Sequence, residues 1–78
     1  MANSTSRCTI EAVGERIRVL REKSGLSQKR LGEALGLHYT AISHVEAGRR
    51  ALSYEPLVKA ADALGCSVDY LLGRTEVA

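Results

Sequence analysis

The chain has 78 residues and a formal net charge of +2, a length that suits one domain with a single small core. It contains no Phe, no Trp and three Tyr, and no alternating β pattern is present, so an all-α domain is expected. No apolar run approaches the roughly 18 residues of a membrane span, and the N-terminus lacks the apolar core of a signal peptide. These absences predict a cytoplasmic protein with no membrane partner.

Cysteine and histidine are too sparse for a redox or metal framework. Cys8 and Cys66 are isolated, no C-x-x-C pair occurs, and both histidines fall on one predicted helix. The sequence therefore predicts no metal site and no cofactor. Ser43 and His44 are adjacent rather than on one helix face, and no acidic dyad or Gly-rich phosphate loop is present, so no enzyme activity is expected.

The first predicted helix follows a polar tail, residues 1–8, that is expected to be flexible. Within it Arg7 either lies along a phosphate or is simply solvated. Thr9 suits the N-cap of the helix, and an apolar stripe follows at i, i+4 and i+7. The stripe consists of Val13, Ile17 and Leu20.

Residues 25–48 predict two short helices joined by a tight turn. Ser27 suits the N-cap of the first, and Gly36 stands where that helix should end. Ile42 and Val45, three residues apart, should face inward from the second helix. The apolar stripe predicted for the first helix is Leu31, Ala34 and Leu35.

The outer face of the second helix carries hydrogen-bonding side chains without a formal charge. They are His38, Tyr39, Thr40, Ser43 and His44. A short turn makes the second helix protrude, and a helix about 10–12 Å wide fits the roughly 12 Å major groove of B-DNA. The pattern therefore predicts a helix-turn-helix that presents helix 38–47 to double-stranded DNA.

Basic residues gather around this unit. Residues 16–50 contain eight basic and three acidic side chains, whereas residues 51–78 contain two basic and four acidic ones. Such a distribution is expected of a phosphate-binding surface, although ordinary solvated helix faces also produce it.

Two closing helices are predicted after the helix-turn-helix. Ser53 should cap the first, with Pro56 in its first turn, and Ser67 should cap the second. Their inward residues are Leu57, Ala60, Ala61, Leu64, Leu71 and Leu72. The domain should therefore span residues 9–74, with residues 75–78 as a tail.

These motifs resemble the Xre family of bacterial and phage regulators, which includes lambdoid phage repressors and Cro-like proteins. The matching residues are Gly25-Leu26-Ser27-Gln28, Leu31, Ala34-Leu35-Gly36, Ile42-Ser43, Glu46, Gly48, Ala60-Ala61-Asp62-Ala63-Leu64-Gly65 and Ser67-Val68-Asp69-Tyr70-Leu71-Leu72-Gly73. The likeness covers about residues 13–74, and one departure is Gly32, where the family usually has Ala. It implies a compact five-helix, lambda repressor-like domain with the helix-turn-helix at its centre.

The resemblance also implies roles for individual residues. Arg21 should pair with Glu46 at the end of the recognition helix, although both are otherwise expected to be solvated. Phosphate contacts are implied for Gln28, Lys29, Arg49, Arg50 and Arg21. Base contacts are implied for Tyr39, Thr40 and His44, with Ser43 and His38 beside them. Alternatively, His38 only caps the helix and Tyr39 packs over it.

The resemblance implies a sequence-specific DNA-binding transcriptional regulator, with repression favoured, acting as a homodimer on a palindromic operator. It points to Tyr54, Val68 and Tyr70 for the dimer interface, unless they serve the monomer core. The alternatives within the same fold are an antitoxin or a restriction–modification controller, and nothing in residues 1–78 decides against them. A protein-interaction module that binds no DNA is the alternative of another class. The operator sequence does not follow, because the outer face holds no Arg or Gln.

Overall fold

The computed structural model describes residues 9–76, which form five α-helices and no strand. In chain order these are α1 (Ile10–Lys23), α2 (Gln28–Leu35), α3 (Tyr39–Glu46), α4 (Tyr54–Leu64) and α5 (Val68–Leu72). The predicted all-α, five-helix class is confirmed for this part of the chain. The predicted N-terminal tail with Arg7 and Cys8, and residues 77 and 78, lie outside the described residues.

Side-chain caps start three of the helices at the predicted residues. The hydroxyl oxygens of Thr9, Ser27 and Ser67 each accept a backbone N–H from the first turn, at 3.0 Å in every case. Ser53 is the N-cap residue of α4, as predicted, but its side chain makes no capping hydrogen bond. The reason is Pro56 in the first turn, because proline has no N–H to donate to a cap.

The core collects apolar side chains from all five helices. Its buried members are Ile17, Leu31, Leu35, Ile42, Val45, Ala60, Ala61, Leu64 and Leu71. Val13 and Leu20, predicted to share the α1 stripe with Ile17, are half-buried against this cluster. Deletion of a buried aliphatic side chain from such a core costs about 2–5 kcal/mol, so these contacts fix the positions of the helices.

The buried face of α2 differs from the predicted stripe. Leu31 and Leu35 are buried as expected, but Ala34 is exposed and Gly32 is buried in its place. A Cβ atom on Gly32 would lie 2.6 Å from the backbone oxygen of Leu37, in the turn before α3. The missing side chain thus lets α2 approach the turn closely, and Ala34 faces solvent. Within residues 9–76, no helix is long and apolar enough to cross a membrane.

Candidate nucleic-acid interface

Helix α3 has one buried side and one exposed side. Ala41, Ile42 and Val45 are buried, with at most 7% of their surface exposed. Four of the predicted base-contacting residues are exposed, and Ser43 is half-buried at the margin. The exposed four are His38, Tyr39, Thr40 and His44. The structure thus brings the predicted set together on the outward side of one helix anchored by its apolar side.

The first turn of α3 is capped by histidine. Nδ1 of His38 lies 3.3 Å from the backbone nitrogen of Thr40, which donates to it, and 3.0 Å from the Thr40 hydroxyl oxygen. The rings of His38 and Tyr39 are 4.6 Å apart between centroids. His38 therefore caps the helix and Tyr39 packs against its ring, and both side chains remain exposed.

The last turn of α3 is held by α1 and α2. Nε and Nη2 of Arg21 donate to the two carboxylate oxygens of Glu46, at 2.6 and 3.1 Å. Nε2 of Gln28 donates to the same carboxylate at 3.0 Å. The Glu46 side chain is only 5% exposed, so its charge is compensated inside the protein.

Arg21 directs its guanidinium inward. Its remaining Nη1 donates to the carbonyl oxygen of Leu26 at 2.8 Å, and the side chain is 13% exposed. The hydrogen bond to Glu46 raises the pKa of Arg21 above its ordinary value. Arg21 therefore joins α1, the α1–α2 loop and the end of α3, and a phosphate contact by this residue stays a prediction.

A close backbone contact reinforces that junction, and the sequence analysis missed it. A methyl group at Gly14 of α1 would collide with the carbonyl oxygen of Val45 in α3. Gly14 lies two turns before Arg21 on the same helix, so both mark the side of α1 that faces α3. A glycine inside an amphipathic helix was the available signal, because glycine there is unfavourable without a packing reason.

Two groups of basic residues lie around the helix-turn-helix. The three arginines of α1 are paired within the domain. Arg16 donates to the carbonyl oxygen of Leu71 at 3.2 Å, Arg18 pairs with Glu15 and Glu22 on its own helix, and Arg21 pairs with Glu46. Exposed cations lie in α2 and in the loop after α3. They are Lys29, Arg30, Arg49 and Arg50.

Lys29 borders the outward side of α3, since it lines an open recess together with Glu33, His38 and Tyr39. Arg49 and Arg50 follow the other end of α3 directly. Gln28, also predicted to contact phosphate, is half-buried and already donates to Glu46. Exposed positive charge thus flanks both ends of the outward side of α3.

The three residues predicted for a dimer interface differ in accessibility. Tyr54, at the start of α4, is 80% exposed. Val68 and Tyr70 in α5 are half-buried, and Val68 packs against the core cluster. Tyr54 is therefore the one of the three that is open along most of its side chain.

A family model and several known proteins match most of this chain. A family model described as helix-turn-helix matches residues 17–71. Control protein C.SmaI of Serratia marcescens is 41% identical over 64 residues, which cover 82% of this chain and 76% of that protein. Repressor protein C2 of Salmonella phage P22 is 40% identical over 62 residues, which cover 80% of this chain and 29% of the phage protein.

The fold is shared with a solved complex. The crystal structure of the P22 c2 repressor with synthetic operator 9T matches this structure with a TM-score of 0.75 and 42% sequence identity. The match covers 77% of this chain and 91% of that chain. The chain spans about half the length, or less, of two of the curated relatives that it matches.

Proposed function

The chain belongs to the helix-turn-helix family, and we therefore propose that it is a sequence-specific DNA-binding transcriptional regulator. In this proposal it represses transcription by binding a palindromic operator as a homodimer, with α3 in the major groove. Residues 9–74 are the DNA-binding domain, and the molecule acts by binding and not by catalysis. The similar phage protein is named a repressor and is known in complex with an operator, which supports the assignment.

The observation that carries the proposal is the outward side of α3. It displays imidazole, phenol and hydroxyl groups, which can donate hydrogen bonds to base edges and accept them, while Ile42 and Val45 fix the opposite side in the core. Helix α3 is eight residues long, so its exposed side spans only a few base pairs. A second copy about 34 Å away, one helical turn along the duplex, would supply the remaining specificity.

We assign the contacts by position on this surface. Tyr39, Thr40 and His44 face base edges, with His38 and Ser43 beside them. The phosphate contacts come from exposed cations that border the two ends of α3, which are Lys29, Arg49 and Arg50. Gln28 and Arg21 contribute mainly by holding Glu46, and thereby α3, in place.

Footprinting on DNA that flanks its own gene tests the proposal. We expect one protected region with two related half-sites about 34 Å apart along the duplex, and sedimentation of the complex should give two chains per site. Lys59→Ala, a change of an exposed cation on α4, serves as the matched control and should leave the footprint unchanged. Uniform binding to all duplexes, or none, would refute sequence-specific regulation.

A controller protein of a restriction–modification operon is the second candidate. The observation in its favour is similarity, because control protein C.SmaI is 41% identical to this chain where they align and the phage repressor is 40% identical. The same footprint discriminates the two, since a controller would protect DNA upstream of a restriction endonuclease gene. A pull-down in which the chain retains protein but no duplex DNA would instead favour a protein-interaction module.

A further inference from the structure

The imidazole of His38 lies against two groups of Thr40 that determine where its proton sits. The backbone N–H of Thr40 points at Nδ1 over 3.3 Å, and the Thr40 hydroxyl oxygen lies 3.0 Å from the same nitrogen. A backbone N–H can only donate, so Nδ1 must accept. A neutral imidazole whose Nδ1 accepts carries its single proton on Nε2.

The same geometry fixes the role of the Thr40 hydroxyl. Because Nδ1 has no proton to give, the hydroxyl at 3.0 Å must donate toward it. Its one proton is thereby used inside the protein, which leaves a methyl group and oxygen lone pairs for a ligand. The Tyr39 ring packs beside the imidazole, tilted by 31°.

We propose, resting on the function proposed above, that His38 sets the hydrogen-bonding code at the leading end of α3. It presents a fixed Nε2–H donor, and it restricts Thr40 to a methyl group and an acceptor. In the major groove guanine presents two acceptors, N7 and O6, whereas adenine presents one acceptor beside a donor and cytosine presents a donor, so the Nε2–H donor is matched best by guanine. A methyl group matches the C5 methyl of thymine. His38 therefore favours guanine, and Thr40 favours thymine.

The tautomer can be measured on the full chain without DNA, by long-range proton–nitrogen correlation NMR at pH 8. We expect His38 to show an unprotonated Nδ1 and a protonated Nε2. His44 is the internal control, because its ring makes no hydrogen bond within residues 9–76. Thr40→Val removes the hydroxyl at nearly constant shape and should reduce the tautomer preference of His38 alone.

The base code can be measured by selecting bound duplexes from a random library. His38→Ser keeps a capping oxygen on a much shorter side chain, so the selected site should lose its guanine preference and keep its other bases. In the wild-type site, 7-deazaguanine at that position should weaken binding about tenfold, and uracil for thymine should also weaken it. The affinity of His38→Ser should not change with 7-deazaguanine, and the affinity of Thr40→Ser should not change with uracil.

Two results overturn the inference. One is a protonated Nδ1 at His38, or a tautomer mixture equal to that of His44, whether or not the chain binds DNA. The other is an unchanged guanine preference in His38→Ser. A wild-type chain that binds no DNA would refute the proposed function instead, and the NMR result would still decide the tautomer.

Discussion

The two ends of α3 are built on different principles. At the last turn the Glu46 carboxylate is 5% exposed and accepts three hydrogen bonds from Arg21 and Gln28, while Gly14 brings the backbone of α1 into contact. At the first turn the capping residue His38 is exposed, and its side chain contacts its neighbours Thr40 and Tyr39. The last turn therefore fixes the position of α3, while the first turn stays open to a ligand.

Removal of the buried arginine should break the fixed end most severely. Arg21→Ala leaves the Glu46 carboxylate buried with Gln28 as its remaining partner, and we expect a loss of about 3 kcal/mol in the free energy of unfolding. Urea denaturation measures it. The double variant Arg21→Met with Glu46→Leu removes both charges and should recover much of the loss. Equal stabilities of Arg21→Ala and wild type would mean that the ion pair does not hold α3.

Gly14→Ala tests the backbone contact at the same end. Helix propensity alone would stabilise the variant by about 1 kcal/mol, but the added methyl group collides with the Val45 carbonyl oxygen. We expect overpacking to prevail, with a net loss of about 1–3 kcal/mol by thermal or urea denaturation. An exposed position on α4 offers the control, since Lys59→Ala should change stability little. A stabilised Gly14→Ala would show that α1 and α3 are not in close contact.

His44→Ala changes the outward side of α3 and leaves the contacts of Arg21 and Gln28 with Glu46 intact. Its side chain is exposed, so stability should hardly change. The loss should appear in operator affinity, about 1–3 kcal/mol for one base contact, with binding to random duplex unaffected. Fluorescence anisotropy with both duplexes measures the ratio. A parallel loss on both duplexes would assign His44 to the backbone and not to a base.

Arg49→Ala should have the smallest effect, and a general one. A single lost phosphate contact weakens binding to all duplexes alike and reduces the slope of log affinity against log salt by about one unit. Titrations at several salt concentrations measure this slope, with Lys59→Ala as the charge-matched control. A changed base preference with an unchanged slope would show that Arg49 does not lie on a phosphate.

Local signals predicted the ends of helices, and periodicity predicted most of the core. Thr9, Ser27 and Ser67 cap as expected because a cap depends on residues three apart in sequence. Which side of a helix is buried also depends on how it crosses its neighbours. The spacing of apolar residues placed Ile42 and Val45 in the core correctly, but its prediction that Ala34 is buried was wrong.

The residues of the candidate site could be predicted from the sequence, but the hydrogen bonds and contacts among them could not. The residue pattern gathered His38, Thr40 and His44 on one side of a helix, yet it left open whether His38 caps or reads bases. Only the position of Nδ1 relative to Thr40 shows that capping leaves the rest of the ring available. The contact between Gly14 and Val45 depends on a helix crossing, so a lone glycine signals it only weakly.

The uncapped start of α4 has a consequence for how the domain opens. Its first turn relies on the backbone bond from Leu57 to Ser53, without the side-chain cap that α1, α2 and α5 have. Amide hydrogens there should exchange with deuterated solvent earlier than those in the capped turns. Tyr54, the most exposed large apolar side chain in the described residues, stands on this turn and can shift without disturbing the core.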